Sequence, residues 1–510
     1  MLVKVKSAAV VGLDAFIVDV EVNSSRGLPG QTIVGLPDLA VKESRDRVKA
    51  AIVNSGFEYP GNYFTINLAP ADVKKVGPMY DLPMAIGILA SNGLIDPVSL
   101  EGKVVVGELS LDGGVRAVAG VLPMCLTLKE HGINAILVPK ENAAEASITE
   151  GLEVIPVESL SQAIKFLNNE EKIEPFKLDI KSLFESGGEF QLDFSEVKGN
   201  AHAKRSLEIA AAGAHNILMV GAPGSGKTML AKRLPSILPP LSLAESLEVT
   251  KIYSVVGMLD QKSTLVTRRP FRSPHHTTSD IGIVGGGRFP RPGEISLAHF
   301  GVLFLDEFPE FEREVLEVLR QPLEDGKVTI SRALTSVTYP AQFMLVAAMN
   351  PCPCGNFMDA GKQCSCHPGK IQKYWSRISN PILDRIDLHV EVPRLKQEEI
   401  TNMKPGEPSK MIRERVVAAR DIQRERFKGS GIYSNSEMVP KQIKEYCELD
   451  CEAEDLLKAA IFQLKLSARA YDRILKVART IADLEGAENI KAAHIAEAVQ
   501  YRSFDRGNRV

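Results

Sequence analysis

The sequence predicts an α/β protein of more than one domain, with a parallel sheet at its centre. Three observations predict this fold class. A glycine-rich segment, 221–228, lies between the apolar run Ile217–Val220 and a helical pattern. A second apolar run, Gly301–Leu305, ends in two acidic residues. Short strand and helix patterns also alternate through the first 170 residues. Apolar runs of this length are typical of strands that are buried on both faces.

Length and composition predict a soluble protein of two or three domains, because 510 residues exceed what one core serves. With a net charge of −3 there is no general basic excess, so any nucleic-acid contact must come from local patches or a pore. No apolar run approaches the ~20 residues that span a bilayer. The start, Met1–Lys6, alternates like a strand, so we expect no signal peptide and no membrane partner. Seven cysteines, four of them between 352 and 366, favour a metal in a reduced compartment, and we expect a cytoplasmic protein.

Residues 1–170 are predicted to form an α/β domain of their own. Its predicted strands are Ala15–Val22, Gln31–Val34, Tyr63–Leu68, Val104–Leu109 and Ala135–Val138, and its helices Lys42–Ser55, Leu82–Asn92 and Leu122–Glu130. Two segments, 75–83 and 107–113, resemble the proteolytic domain of Lon proteases, which has the ribosomal S5 domain 2-like fold. In that pattern a nucleophilic serine follows a Gly-Pro pair, and here Met79 stands in its place. Val118–Met124 also lacks the lysine of the Lon pattern. Methionine cannot act as the nucleophile, so we interpret this domain as a non-catalytic binding or assembly module.

The polar stretch Asn168–Gly199 is the predicted linker region, and we place the linker itself at 171–193. The central domain is predicted to run from 194 to 395 and to include a metal-binding loop, 352–367. Amphipathic patterns at Leu456–Leu466, Tyr471–Leu484 and Ile490–Tyr501 predict an all-helical region over 396–510.

The glycine-rich segment fits the phosphate-loop pattern G-x-x-x-x-G-K-[ST] without a gap. Its residues are Gly221, Ala222, Pro223, Gly224, Ser225, Gly226, Lys227 and Thr228. In such a loop, backbone N–H groups face the phosphates, the lysine reaches the β- and γ-phosphates, and the hydroxyl binds Mg²⁺. A strand-to-helix turn with an incidental lysine is the alternative interpretation, and the complete pattern with its flanks disfavours it. ATP and Mg²⁺ are therefore the predicted cofactors.

The acidic residues Asp306 and Glu307 end the second apolar run. A carboxylate at such a strand end can hold Mg²⁺ through water, and the next can act as general base toward the attacking water. We assign Asp306 to the metal and Glu307 to the base. An apolar run that ends in Asp-Glu is common by itself. Its position about eighty residues after a complete phosphate loop makes the assignment specific.

The order of elements from Phe194 to about Val392 resembles an AAA+ ATPase. Segments 271–278, 291–299 and 383–387, and the tail 493–503, resemble the magnesium chelatase-like AAA+ family, and the likeness covers essentially the whole chain. The implied fold is a Lon-like front, an AAA+ core and an all-helical lid. The branch it resembles most includes DNA helicases.

The resemblance implies roles for three further residues. Asn350 matches sensor 1, which bonds the γ-phosphate or the attacking water. Arg385 matches the arginine finger that reaches a neighbouring subunit's γ-phosphate, with Arg377 as its rival, and Arg469 matches sensor 2 on the lid. Without the resemblance, each arginine would be interpreted as part of a surface salt bridge.

Two hairpin-like segments, Lys327–Tyr339 and Ser279–Arg291, are the candidate motor loops facing the pore of a ring. Arg288 and Arg291 flank Phe289, and such residues can grip phosphates and stack on bases. A packing or lid loop is the alternative for both.

Neighbouring His275 and His276 would point to opposite faces of an extended chain, so we interpret them as structural or interface residues and not as metal ligands. The arginine-rich segment Ser409–Phe427 is interpreted as a solvated helix face.

The cysteines of the predicted metal loop form two C-x-C pairs, Cys352 with Cys354 and Cys364 with Cys366. Four thiolates within one short loop suit a tetrahedral, structural Zn²⁺. His367 could replace one of the ligands, and free thiols are the alternative.

These observations predict a ring-forming, Mg²⁺-dependent ATPase. The resemblance implies a hexamer that acts on single-stranded or branched DNA, as a helicase or branch-migration motor in recombination or natural transformation. One alternative is a motor subunit that drives metal insertion into a tetrapyrrole through a partner, although dedicated subunits of that kind lack the Lon-like front. The other is an ATP-dependent protease or unfoldase, which Met79 and the missing lysine disfavour.

Overall fold

A computed structural model of the chain describes residues 1–185, 190–259, 264–287, 289–332, 335–357, 362–394, 405–464, 467–502 and 504. The chain divides into two compact units. Unit 1 contains Met1–Gly187 and Leu243–Thr267, and unit 2 contains Gly188–Ser242 and Arg268–Val510. Residues 243–267, which the sequence prediction includes in the central domain 194–395, therefore pack with the first unit. None of the helices that the structure describes is long and apolar enough to cross a membrane.

Strands and helices are numbered in chain order. The strands of unit 1 are β1 (Leu2–Val11), β2 (Asp14–Ser25), β3 (Gly30–Val34), β4 (Tyr63–Ala69), β5 (Lys103–Val105), β6 (Glu108–Leu109), β7 (Val115–Arg116), β8 (Ala135–Pro139) and β9 (Glu153–Val157). Its helices are α1 (Leu39–Asn54), α2 (Asp81–Ser91), α3 (Val121–Glu130), α4 (Ala143–Ala146), α5 (Leu160–Leu167), α6 (Ile180–Glu185) and α9 (Leu243–Val256).

Unit 1 is built on a seven-stranded mixed sheet of order β3-β4-β2-β1-β5-β8-β9. β1, β2 and β4 pair antiparallel, whereas β5, β8 and β9 pair in parallel. Along β2, Val18, Val20 and Val22 are fully buried in alternation with more exposed residues, as period-two side-chain geometry requires. The sequence prediction placed one strand over Val104–Leu109. The structure has two strands there, because the backbone N–H of Gly107 leaves the sheet and donates to the carbonyl oxygen of Met79.

Helix α9 is fastened to unit 1 by a buried carboxylate. Glu145 accepts hydrogen bonds from Ser254 Oγ at 2.5 Å and from the backbone N–H of Leu122 at 2.9 Å. The backbone N–H of Gly120 donates to the carbonyl oxygen of Ser254 at 3.0 Å. Burial raises the pKa of Glu145, and these donors oppose that rise. The bonds place α9 beside the start of α3.

The strands of unit 2 are β10 (Ile217–Val220), β11 (Phe271–Arg272), β12 (Gly285–Gly286), β13 (Arg291–Pro292), β14 (Val302–Leu305), β15 (Lys327–Arg332), β16 (Thr335–Pro340), β17 (Met344–Met349) and β18 (Leu388–Glu391). Its helices are α7 (Ala201–Gly213), α8 (Lys227–Arg233), α10 (Asp280–Val284), α11 (Glu294–Leu297), α12 (Arg313–Val318), α13 (Arg320–Asp325), α14 (Pro368–Trp375), α15 (Asn380–Leu383), α16 (Ser409–Arg426), α17 (Pro440–Tyr446), α18 (Cys451–Leu464), α19 (Ala468–Leu484) and α20 (Ala492–Gln500). Short 3₁₀ turns in the two units lie at Pro78–Tyr80, Pro97–Leu100, Lys140–Asn142, Phe194–Glu196, Leu234–Ser236, Phe308–Glu310 and Asn435–Glu437.

The core of unit 2 is a five-stranded parallel sheet of order β11-β14-β17-β10-β18. β10, β14 and β17 are buried along their whole length, which explains their uninterrupted apolar sequences. Val220 pairs with Met349, and Leu305 pairs with Ala347. The carboxyl ends of these three strands therefore meet at one edge of the sheet. The predicted parallel α/β core is confirmed.

Two segments of unit 2 differ from the sequence prediction. The sequence pattern over 312–323 predicts one continuous helix, but in the structure two helices, α12 and α13, meet at Leu319. Pro322 lacks the N–H that a continuous helix would bond to the carbonyl oxygen of Val318. The hairpin expected over Ser279–Arg291 begins instead with α10, and only β12 and β13 pair. β15 and β16 form the hairpin expected over 327–339. Arg288 and the hairpin tip, 333–334, lie outside the described residues.

The described part of the C-terminal region is helical, as predicted, and a buried carboxylate joins it to the sheet. Asp387 precedes β18 and accepts bonds from Arg473 of α19 and from the backbone N–H of Asn216. His215 lies between the two parts, with Nδ1 3.3 Å from Asp387 Oδ2 and Nε2 2.8 Å from Thr480 Oγ1. Burial alone would raise the pKa of Asp387, but the charge of Arg473 and the bond from His215 hold it below its usual value.

This network yields a prediction about stability. Asp387→Asn removes the charge that Arg473 requires, so we expect a loss of about 3 kcal/mol in the free energy of unfolding at neutral pH. Because the folded-state pKa lies below the unfolded value of about 3.9, the stabilisation is present above pH 4 and lost as the pH falls below it. Urea denaturation between pH 7 and pH 3 measures both effects.

The matched control is Asp421→Asn, which removes an exposed carboxylate paired with Arg424 at 2.8 Å. An exposed pair of this kind contributes about 0.5 kcal/mol. Equal losses in the two variants would contradict the proposed role of Asp387.

Candidate nucleotide-binding site and cysteine cluster

The glycine-rich segment forms a tight loop between β10 and α8. Gly224 and Gly226 have φ of 76° and 96°, in the left-handed region that glycine enters without strain. A Cβ at Gly221 would lie 2.2 Å from the carbonyl oxygen of Val392, so only glycine fits against β18 there. The hydroxyl of Ser225 is buried and has no hydrogen-bond partner among the described residues.

Lys227 places its ammonium at the wall of this loop. Its Nζ donates to the carbonyl oxygens of Gly221 at 2.7 Å and Ala222 at 3.1 Å, and to Asn350 Oδ1 at 3.4 Å. Burial lowers the pKa of Lys227, and the negative charge of Asp306 opposes that effect. Because water screens this buried ammonium poorly, it would attract a neighbouring anion more strongly than an exposed lysine would.

Asp306 and Glu307 stand beside the loop because β14 is separated from β10 by β17 alone. Thr228 Oγ1 donates to Asp306 Oδ2 at 2.6 Å, and the backbone N–H of Glu307 donates to Asp306 Oδ1 at 2.9 Å. Glu307 has a φ of 52°, an unusual conformation for a residue with a side chain. Its carboxylate is 57% exposed, so solvent reaches it. The hydroxyl and carboxylate that the sequence assigned to one metal ion are therefore in direct contact.

His276 contacts the predicted general base. Its Nδ1 lies 3.1 Å from Glu307 Oε2, and its ring meets the ring of Phe311 edge-on at 6.4 Å. Sequence reasoning interpreted His276 only as a structural or interface residue and missed this contact. No sequence pattern marked this contact, because the strand before His276, β11, has only two residues that pair with β14.

One cavity of about 400 Å³ collects these groups. It is lined by Pro223, Gly224, Ser225, Gly226, Lys227, Thr228, Met229, Asp306, Glu307, Met349 and Asn350. The backbone donors, the ammonium and the free hydroxyl of Ser225 fit the oxygens of a triphosphate. The hydroxyl of Thr228 and the carboxylate of Asp306 fit a hydrated Mg²⁺.

The two arginines implied by the family resemblance lie elsewhere. Arg385 is 6% exposed, bonds to Glu324 and donates to the carbonyl oxygen of Pro381. Arg469 is the second residue of α19 and is exposed. Neither lines the cavity. The rival Arg377 is 52% exposed and pairs with Glu310 at 2.6 Å.

The cysteine cluster is compact. Cys352 Sγ lies 3.3 Å from Cys354 Sγ and 3.7 Å from Cys364 Sγ, and all four sulfurs, with that of Cys366, lie within 4.8 Å of one another. All four are free thiols, and a disulfide would require about 2.05 Å. Tetrahedral Zn–S bonds of about 2.3 Å separate sulfurs by about 3.8 Å, so the spacing fits zinc.

The closeness of the sulfurs couples the titration of the thiols. The backbone N–H of Asn356 is the largest influence that lowers the pKa of Cys354 to about 5. Burial and the neighbouring sulfurs raise the pKa of Cys366, and the neighbouring sulfurs raise that of Cys364 against the hydrogen bond from the backbone N–H of Cys366. His367, the alternative ligand, accepts a bond from the backbone N–H of Gly369 and caps α14. The metal loop also touches the phosphate loop, since a Cβ at Gly355 would lie 2.4 Å from Pro223 Cδ. Gly361 of this loop lies outside the described residues.

Family models match most of the chain. A model described as magnesium chelatase, subunit ChlI, matches residues 193–400, and a second for the C-terminal part of that subunit matches 406–502. A third, described as subunit ChlI of Mg-chelatase, matches residues 20–142 in unit 1.

Similar proteins cover nearly the full length. Competence protein ComM of Haemophilus influenzae is 45% identical over 505 residues, which are 98% of this chain and 97% of that protein. The YifB protein of Salmonella typhimurium is 44% identical with the same coverage. The magnesium-chelatase 38 kDa subunit of Rhodobacter capsulatus is 26% identical over 176 residues, 31% of this chain and 50% of that subunit. The family models and the identity of about 45% to full-length relatives show that the chain belongs to the magnesium chelatase-like AAA+ family.

Proposed function

We propose that this protein is an Mg²⁺-dependent ATPase that assembles into a ring, with six subunits as the expected number, and moves on DNA. The contact of Thr228 with Asp306, in the same cavity as Lys227 and Glu307, carries the hydrolytic part of the proposal. A phosphate-binding loop alone would support nucleotide binding. A metal-binding pair next to a solvent-exposed carboxylate adds the means to cleave the γ-phosphate.

Each group in the cavity has a role in this reaction. The loop N–H groups and Lys227 bind and orient the triphosphate, while Thr228 would bind Mg²⁺ with its hydroxyl and Asp306 would hold the ion through water. An Mg²⁺ held by Thr228 and Asp306 would supply positive charge beside the phosphate oxygens. Glu307 takes a proton from the attacking water at its carboxylate, and Asn350 at the end of β17 hydrogen-bonds that water or the γ-phosphate.

The locations of Arg385 and Arg469 support the ring. An arginine that assists phosphoryl transfer must reach the phosphate, where negative charge builds up in the transition state. Neither Arg385 nor Arg469 lines the cavity of its own chain. Burial lowers the pKa of Arg385, and the positive charge of Arg469 adds to that lowering. We assign both to the cavity of a neighbouring subunit.

DNA is proposed as the substrate on two grounds. The full-length relative from Haemophilus influenzae is named a competence protein. The hairpin of β15 and β16 buries Val328, Ile330, Val337 and Tyr339 on one face and exposes hydroxyl groups on the other. On that exposed face Thr329 pairs with Thr338 at 3.0 Å and Ser331 with Ser336 at 3.1 Å. Hydroxyl groups can donate to phosphate oxygens without reading sequence.

A chelatase motor is the second candidate, because the family models carry the name of a magnesium chelatase subunit. The subunit from Rhodobacter capsulatus matches only 31% of this chain, whereas the competence protein matches 98% of it. Unit 1 stays assigned to binding or assembly. The resemblance of unit 1 to the Lon proteolytic domain stays a prediction.

The first prediction of this proposal tests DNA as the substrate and Glu307 as the general base. ATP turnover by the wild type should rise when single-stranded or branched DNA is added, because DNA would engage the hairpin. Glu307→Gln is the matched control, and it should bind ATP normally while turnover falls about 100-fold or more. Phosphate release and nucleotide-binding assays measure the two effects. Unchanged turnover with every DNA would remove the DNA motor, whereas normal hydrolysis by Glu307→Gln would mean another base.

The second prediction concerns zinc. Purified protein should carry about one Zn²⁺ per chain, and joint replacement of Cys352 and Cys354 by serine should abolish its binding. ATP binding should weaken severalfold as well, because Gly355 packs against Pro223. Elemental analysis and ATP titration test this, with the exposed Cys451→Ser as control. If the purified protein contains no metal and binds ATP normally, the zinc site is contradicted and the four cysteines are free thiols.

The third prediction tests the shared site. Arg385→Ala should bind ATP nearly normally and lose about 10³-fold in turnover. Lys227→Ala should lose binding and turnover together. When the two variants are mixed, an intact cavity can meet an intact finger, so part of the activity should return. No recovery in mixtures shown to co-assemble would contradict the shared site and direct attention to Arg377.

A further inference from the structure

The environment of Arg385 is unusual for a group that must reach another subunit. Its guanidinium bonds to the carboxylate of Glu324 and to the carbonyl oxygen of Pro381. Its Nε is shielded from solvent and has no hydrogen-bond partner among the described residues. Glu324 itself is 54% exposed. A buried arginine with an unused donor is thus held by a carboxylate at the surface.

Positive charge is in excess around this pair. Besides the opposing effect of Glu324, the charges of Arg320 and Arg469 lower the pKa of Arg385 beyond the effect of its burial. Arg320 pairs with Glu317 at 3.2 Å. Arg469 has no ion pair within the part of the chain that the structure describes. A second anion that approached these arginines would therefore compete directly with Glu324.

Glu324 is mechanically linked to the β15–β16 hairpin. It is the second-last residue of α13, and only Asp325 and Gly326 separate it from β15. The N–H of Gly326 donates to the carbonyl oxygen of Pro322, and its own carbonyl oxygen accepts from the N–H of Ala341. A Cβ at Gly326 would lie 2.9 Å from Gln342 Cγ, so the junction is tightly packed. A displacement of the hairpin therefore carries the end of α13 with it.

We propose that Glu324 is a positioning residue that holds Arg385 on its own subunit until the hairpin engages its substrate. Displacement of the hairpin withdraws the carboxylate, and the guanidinium exchanges it for the γ-phosphate of the neighbouring subunit. The exchange replaces one anion by another, so the buried cation is not left uncompensated. This inference rests on the proposed function and adds the step that couples the hairpin to the finger.

The experiment measures ATP turnover at saturating ATP, with and without single-stranded DNA, in protein at concentrations where it is assembled. Glu324→Gln should raise turnover without DNA about threefold to tenfold, the population change expected when a partly exposed ion pair is removed. Stimulation by DNA should shrink by the same factor, and KM for ATP should not change. Glu324→Asp keeps the charge and should restore most of the wild-type behaviour.

Three further measurements separate this role from a structural one. Glu324→Gln should slightly lower the urea midpoint while it raises turnover, whereas loss of a merely structural contact would lower both. Glu317→Gln, which removes the partner of Arg320, should leave turnover unchanged. The double variant Glu324→Gln with Arg385→Ala should be as inactive as Arg385→Ala, because Glu324 acts only through that arginine.

The outcomes distinguish this inference from the proposed function. If Arg385→Ala loses turnover but Glu324→Gln does not raise it, the role of Glu324 is overturned and the finger stands. If Arg385→Ala keeps its turnover, the finger itself is overturned. A rise with Glu310→Gln in place of Glu324→Gln would assign the held arginine to Arg377 and overturn the inference.

Discussion

The parallel pairing of β10, β14 and β17 is the constraint on which the candidate site depends. Each strand is buried throughout, so its register is set by apolar packing and by backbone hydrogen bonds. Because parallel strands end at the same edge, three segments spread over more than a hundred residues of sequence deliver their polar side chains to one place. Slipping β14 by one residue would turn Asp306 to the other face of the sheet and break its bond to Thr228.

Two neighbouring segments, the end of β18 and the cysteine loop, pack against the phosphate loop at this edge of the sheet. The carbonyl oxygen of Val392, just after β18, closes against Gly221, and Gly355 of the cysteine loop closes against Pro223. Arg394 donates to the carbonyl oxygen of Pro223 at 2.7 Å. The cysteine cluster thus lies directly behind the phosphate loop, so a metal bound by these cysteines would be physically connected to the proposed nucleotide site.

The sequence indicated which side chains lie together where they are close in the chain, and it missed contacts that depend on pairing across the fold. The residues of the phosphate loop, the Asp306–Glu307 pair and the four cysteines each lie within a short stretch, so residue type and spacing predicted their grouping, while their roles stay predictions. His276 reaches Glu307 only because two residues of β11 pair with β14, and a strand so short has no periodicity to detect. Glu324 is one exposed carboxylate among many. The segment 243–267 lies between the phosphate loop and β14 in the sequence, so the sequence alone assigns it to the central domain. Its packing with unit 1 depends on contacts such as the buried hydrogen bonds of Glu145, which the sequence does not reveal.

The balance of charge gives an independent reason why one chain should not suffice for hydrolysis. Among the described residues that line the cavity, Lys227 is the one cation, while Asp306 and Glu307 are both carboxylates. A triphosphate brings more negative charge than its metal ion removes, and the transition state moves further charge onto the leaving oxygens. Burial already lowers the pKa of Lys227, so this single ammonium is a limited source of compensation. In the proposed hydrolysis the further positive charge would come from outside the cavity, and Arg385 and Arg469 belong to the same unit but do not line the cavity. In the proposed ring, contact between subunits would bring these arginines to the phosphate, so the charge balance of the cavity is a physical argument for the proposed assembly that does not depend on the family resemblance.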